Sequence, residues 1–431
     1  MMIAGSVGLS AETNSMVTTN QVAITPDFLA GLGNEARDKQ PAIAAAIART
    51  EAAQAHAESV RKWNDPILRS GVVAATPSRM RADDGDFQIG IEQKLPLFKK
   101  PDLARKVALA ERDQREAEAD RVAKLINRQI AEKIYAAAFA DRMVELIRQD
   151  AAWIDALAAT MEIQFALGKV TQSELLRIQA ERARRAEELR IESRHRDHGR
   201  LELNRILNRP LHDFWPTLQM PTLFNALEDT KRLVEVALKF EPSLKVLDRE
   251  WATANAAVDQ TRASRKPDVS VGVEGRSRIE TGGFRSATVY FNVNLPWWNR
   301  DKYAKDLERE HAKARGVELE VETERLRVAE EIHRLFTEIE NARRTAIVQR
   351  DEVTPRAEQA LASSRAAWES GKGMYRDVID SRRMLVEAQM AFARATTEQH
   401  KLLVNLALCC GIPNLKELER FAQPLKLEEQ P

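Results

Sequence analysis

Two Glu-x-x-His pairs, Glu308/His311 and Glu330/His333, have the spacing with which helical bundles hold two iron ions. Both fall on one helical stretch, 22 residues and so roughly 33 Å apart, so they cannot share a metal pair. They read as solvated charge on a coiled-coil flank. The segment "HRDHGRLELN" (195–204) echoes a kinase catalytic loop, but Glu202 stands where that loop needs asparagine. No glycine-rich strand-turn accompanies it. Cys409 and Cys410 are adjacent in an apolar helical stretch and read as small packing residues, not a metal clamp or a disulfide framework. With no nucleophile–base set and no closed ligand cluster, the chain is expected to be no enzyme and to need no cofactor or metal.

The elements that carry these residues dominate the chain. Of 431 residues 30% are charged and only 6% aromatic, the palette of long helices. Lys+Arg (66) and Asp+Glu (65) nearly cancel, so bulk charge makes no case for nucleic acid. No window reaches the 18 apolar residues of a membrane-spanning helix; "LLVNLALCCGI" (402–412) is too short and contains Asn405. Residues 2–11 resemble the end of an export signal, yet the first basic residue is Arg37, so residues 1–30 are read as an N-terminal extension.

The chain is written twice. "KLPLFKKPDLARKV" (94–107) returns as "NLPWWNRDKYAKDL" (294–307). An offset of 201 pairs Pro41 with Pro242, Arg61 with Arg262, Pro66 with Pro267 and Gly71 with Gly272. An offset of 203 pairs Gly168-Lys169 with Gly371-Lys372 and Pro210 with Pro413. Offsets this constant mark a tandem duplication, repeat 1 over 31–208 and repeat 2 over 231–411, with a linker at 209–230 and a tail at 412–431.

Each repeat predicts the same series. A helix (31–62; 231–264) is followed by two period-2 strands (67–75 and 86–95; 268–276 and 287–295). Then come a very long helix (101–166; 300–369) and a returning helix (171–207; 374–410). On the first long helix Ile126, Ile130, Ile134, Ala137, Val144 and Ile147 step by three, four or seven, and Ala151, Ile154, Ala158, Met161 and Phe165 continue the seam. At 66 residues and about 1.5 Å per residue it spans roughly 100 Å, nearly the summed length of the two shorter helices of its repeat.

Two hairpins cannot bury their apolar stripes or satisfy their edges alone. The stripes face either a private core or lipid, and in lipid the backbone must close into a barrel. Two chains would supply eight strands, and three would supply twelve around an open pore, with Glu92, Glu274, Asn292 and Asn294 facing water. Phe98, Trp297 and Trp298, beside each Leu-Pro, would then sit at the membrane interface. A soluble coiled-coil scaffold is the rival, and it leaves the duplicated strands unexplained.

From about 30 to 413 the chain resembles the TolC-type outer-membrane efflux factors in its duplicated element order, its strand-end Leu-Pro and its "G-x-x-x-x-x-[DE]-[VL]-[IL]" hairpin tips. The first tip, "FALGKVTQSELLRIQAERARRAEELR", looks most like the branch that works with heavy-metal resistance pumps. The resemblance implies an α+β membrane protein, a homotrimer whose 12-stranded β-barrel sits in the outer membrane of a Gram-negative bacterium above a periplasmic helical tube. It would form the exit duct of a tripartite system, with a periplasmic adaptor and an inner-membrane pump of the resistance-nodulation-division type. Cargo would be heavy-metal cations, or else organic toxins. It also implies a periplasmic gate at Asp377 and Asp380, with Glu174 and Arg177 at matching places in repeat 1. The adaptor would meet the tips at Gly168, Lys169, Gly371 and Lys372. Two positions depart from the family: Trp368 replaces the gate tyrosine and Gly373 an arginine, for which Arg376 or Arg382 would substitute. For Asp377 and Asp380 the plainer reading is helix capping and solvation.

Overall fold

The computed structural model describes residues 21–73, 85–227, 230–279, 281–412 and 418. In chain order the elements are β1 (Gln21–Ala23), α1 (Pro26–Lys39), α2 (Pro41–Ser59), β2 (Ile67–Val73), β3 (Asp86–Lys94), α3 (Lys100–Ala166) and α4 (Gln172–Ile206). The second half has β4 (Thr217–Gln219), α5 (Thr230–Phe240), α6 (Pro242–Ser264), β5 (Val269–Arg278) and β6 (Phe284–Val293). It ends with a 3₁₀ turn (Pro296–Asn299), α7 (Arg300–Val348), a π-helical turn (Gln349–Val353), α8 (Thr354–Glu369) and α9 (Tyr375–Cys409).

Prolines punctuate this series. The single helix expected over 31–62 is two, because Pro41 opens α2 and restricts Gln40 to an extended conformation. In repeat 2 Pro242 opens α6 the same way, and the Glu241 carboxylate caps it by accepting from the Leu244 N–H (2.7 Å). The helix expected unbroken over 300–369 carries the π turn just before Pro355. Proline lacks the N–H for the next bond, and the Thr354 N–H reaches back five residues to Gln349 O instead.

Two compact units result. One holds residues 130–224 and 340–401 with the described part of 1–29; the other holds 30–129, 225–339 and the described part of 402–431. In the first, the α3 seam buries Ile130, Ile134, Val144, Ile147, Ile154, Ala158 and Met161. The seam stops there: Phe165, expected to continue it, is 42% exposed. The linker after α4 is pinned by buried amides rather than by regular structure. Asn204 donates to Leu211 O and Asp213 O, and Gln399 accepts from the Phe224 N–H and donates to Phe224 O. The linker also adds β4 in parallel to β1, a pair that no sequence periodicity announced.

The second unit carries an antiparallel sheet in the order β2-β3-β5-β6. The central pair, β3 with β5, joins the two repeats (Gly90↔Glu274, Glu92↔Gly272). One face is apolar and exposed, with Leu68, Val72, Ile89, Ile91, Val289 and Phe291. The opposite face is polar. It is closely packed at Gly272, where an added Cβ would lie 2.2 Å from the Tyr290 ring. β2 and β6 are left as open edges among the described residues. Among the described residues no helix is long and apolar enough to cross a membrane.

Candidate functional site

The two hairpin tips are built alike. At each, a left-handed glycine ends the incoming helix, Gly168 (φ +69°) after α3 and Gly371 (φ +75°) after α8. The glycine N–H bonds three residues back (Phe165 O; Trp368 O), and the following lysine N–H five back (Gln164 O; Ala367 O). This is the full Schellman pattern, open to glycine because it has no Cβ to strain. The outgoing helix α4 starts with a capping box: the Thr171 hydroxyl accepts from the Glu174 N–H while the Glu174 carboxylate accepts from the Thr171 N–H (2.8 Å). Glu174, matched to the gate, therefore holds its own helix start. Gly373 has a local reason too, since an added Cβ would lie 2.9 Å from Ala367 Cβ and 3.1 Å from its carbonyl carbon.

Between the tips Tyr375 and Ile178 are buried with Ile154, Leu157, Ala158 and Met161, and Trp153 and Trp368 pack against them. A groove of about 750 Å³ opens beside this cluster, lined by Trp153, Gln164, Lys169, Glu174, Trp368 and Tyr375 among others. Burial pushes the Tyr375 phenol above its ordinary pKa, against the pull of the neighbouring Arg177 guanidinium. The sequence reading named Arg177 and missed Tyr375, whose only signal is its place as first residue of α9.

Asp377 and Asp380 are both exposed on the first turns of α9. Asp380 already has cations beside it, Arg376 at 3.6 Å and Arg383 at 3.7 Å. Arg382, expected as a substitute for the family arginine, is used elsewhere. Its Nε lies 2.8 Å from Asp150, which is only 1% exposed, and its guanidinium stacks 5.3 Å from the Trp153 ring. Asp150 also lies 2.8 Å from Arg185 Nε, and Arg185 pairs in turn with Glu188. This buried node ties α3, α4 and α9, and its members are too far apart in sequence for any local pattern to betray them.

On the polar face of the sheet, charges are paired. Glu92 does not stand free in water as expected. It is 6% exposed, beneath Arg69, and accepts from the Ser270 hydroxyl and from Asn292 Nδ2 (3.0 Å). Glu274 pairs with Arg276 (3.3 Å) and Asp86 with Arg285 (2.8 Å). Asn294 lies just past β6, where its N–H donates to Asp268 O. Phe98 occupies a left-handed turn with Lys99, and Trp297 and Trp298 form the 3₁₀ turn, Trp298 being 83% exposed.

Glu308 pairs with Lys305, Glu202 with Lys133, and among the described residues no group of three His, Cys, Asp or Glu is placed to hold a metal. Both thiols are pushed up to about 12 by burial, so neither is a ready nucleophile.

Compared with models of known families, residues 32–208 and 233–411 match that of the outer membrane efflux proteins. The chain belongs to this family. It is an outer-membrane efflux channel that extends into the periplasm, and not an enzyme. Solved channels share the fold. The outer-membrane channel OprN superposes with a TM-score of 0.78 at 16% identity, over 89% of this chain and 90% of that one. VceC of Vibrio cholerae gives 0.75 at 17%, over 89% and 96%. The CmeC channel of Campylobacter jejuni gives 0.76 at 14%, over 100% and 99%. No curated protein matches the chain in sequence.

Proposed function

We propose that three copies of this efflux channel close one 12-stranded barrel and pass heavy-metal cations outward from an inner-membrane pump of the resistance-nodulation-division type, through a periplasmic adaptor. The observation that carries the reading is the two-faced sheet with both edges open. Four strands cannot close on themselves, and in hydrocarbon every edge must be paired. Copies related by threefold symmetry satisfy β2 and β6 against each other, with the apolar face in lipid and the paired charges toward water.

The adaptor docks at the tips, 168–176 and 371–380, and opening loosens the helices there. Asp377 and Asp380 with Arg376 and Arg177 form the periplasmic gate, and Trp368 packs behind it. The first-tip wording supports the metal reading.

A second reading, passage of organic solutes, has its own support. Asp380 is flanked by two arginines, and the groove beside the tips carries the rings of Trp153, Trp368 and Tyr375, against which organic solutes can pack. Deleting the gene and challenging the cells with zinc, cadmium, copper and silver salts, then with dyes and bile salts, separates them. Sensitivity to metals alone is the expected result; sensitivity to organics alone removes the metal assignment.

A further inference from the structure

Four chain segments meet at the end of the sheet where strands become helices. They are the exits from α2 and α6, the left-handed turn before α3 and the 3₁₀ turn before α7. Hydrogen bonds draw them together: Gln93 Nε2 donates to Asn64 O (2.8 Å), Lys100 Nζ to Lys266 O (2.6 Å) and the Asn294 N–H to Asp268 O (2.9 Å).

Charge on this collar is lopsided. Lys94 and Lys100 share the single carboxylate of Asp268. The remaining cations are exposed: Arg61 and Lys62 after α2, Arg265 and Lys266 after α6, Lys99 in the turn, Arg300 and Lys302 at the start of α7. None of these seven is in an ion pair among the described residues, and the exposed carboxylates close to them in sequence, Glu58, Asp65, Asp102 and Asp301, are fewer. Elsewhere many exposed cations are paired, as Arg327 is with Glu324 and Arg334 with Glu331 on α7.

Aromatic rings are interleaved with the cations. Trp63, Trp297, Trp298 and Phe98 are all exposed, and Lys266 Nζ lies 5.5 Å over the Phe98 ring. Phe98 (φ +58°) and Lys99 (φ +57°) hold consecutive left-handed conformations without being glycine. Such strain persists only where the surroundings hold it, and it clusters at functional sites.

We infer that this collar binds the phosphate headgroups of anionic phospholipids, of the phosphatidylglycerol type, in the leaflet facing the periplasm. The inference rests on the barrel reading above, which puts the exposed apolar face in hydrocarbon and the collar at its boundary. Rings at that depth lie at headgroup level, and unpaired Lys and Arg beside them meet phosphate. A zwitterionic leaflet would answer the rings but leave the excess positive charge without a counterpart.

The test uses the full chain in vesicles in which one lipid carries bromine near the headgroup end of its acyl chains, a tryptophan quencher. Brominated phosphatidylglycerol, as a quarter of a phosphatidylethanolamine bilayer, is expected to quench at least about twofold more than brominated phosphatidylethanolamine at the same fraction. The excess should vanish in 0.5 M NaCl, where the Debye length falls to roughly 4 Å. It should also vanish in the variant Arg265→Gln, Lys266→Gln, Arg300→Gln, Lys302→Gln. Equal quenching by the two lipids in the unaltered protein overturns the inference while leaving the barrel intact. Quenching by neither lipid overturns the barrel reading itself.

Discussion

The carboxylate of Asp150 in α3 lies 2.8 Å from Nε of Arg382 in α9, which joins the long helix of one repeat to the returning helix of the other. Both groups are largely withdrawn from water, and Arg185 of α4 completes the node at 2.8 Å from the same carboxylate. Burying such charges is favourable only while each keeps its partner.

Removing the shared carboxylate is therefore costly. Asp150→Ala leaves two guanidinium groups facing each other across three helices and should cost about 3 kcal/mol, the usual scale for breaking a buried pair. Urea unfolding of the detergent-solubilised protein measures it. Loss of less than about 1 kcal/mol would mean that Glu181 and Glu188 suffice as partners.

At the tip, charge sets the sign of the effect. Asp377→Ala with Asp380→Ala should weaken block by divalent cations in planar bilayers. Arg376→Ala with Arg383→Ala strips Asp380 of its two neighbours and should strengthen block. Conductance and block that stay constant in both variants would remove the gate assignment.

Gly373 is held by contact rather than by φ. Gly373→Ala places a methyl group 2.9 Å from Ala367 Cβ, and the tip must shift at a cost of about 1–2 kcal/mol. Gly373→Arg, which writes in the family residue, should disturb the turn further and sensitise cells to the exported cargo. Normal resistance with Arg at 373 would show that the α8–α9 turn tolerates rearrangement.

His400 contributes a pH dependence. It is buried beside Tyr135 (ring centroids 5.1 Å apart), with Nδ1 3.0 Å from Thr396 O, and burial lowers its pKa. The folded state then binds fewer protons than the unfolded chain, so the stability tied to neutral His400 is full above about pH 6.5. It is lost as pH falls through the lowered folded value. Melting curves between pH 8 and pH 5 should show a smaller acid-induced drop for His400→Asn than for the unaltered protein; equal drops would place the sensitivity elsewhere.

Much of the architecture is local and so can be read without coordinates. Period-2 alternation in "DVSVGVEG" places a strand with two unlike faces, and Gly168 and Gly371 stop their helices because a left-handed turn favours glycine. Other features needed contacts between distant residues. Pro355 was visible in the sequence, yet the π turn before it depends on whether the flanking helix ends or bulges. Glu92 looked like a water-facing carboxylate, because nothing in its own strand foretold Arg69 above it. Tyr375 at the head of α9 gave no sign that it would close the core between the tips.

By itself the sequence determined the duplication, the two-faced strands and the glycine-ended hairpins, the first because matching residues recur at a nearly constant offset and the others because each depends on spacing within one short segment. Only the tertiary structure decided that β3 pairs with β5, that Arg382 serves Asp150 instead of the tip, and that the collar's cations stand unpaired beside exposed rings. The physical reason is that pairing and desolvation are properties of groups brought together from hundreds of residues apart, and no local period records them.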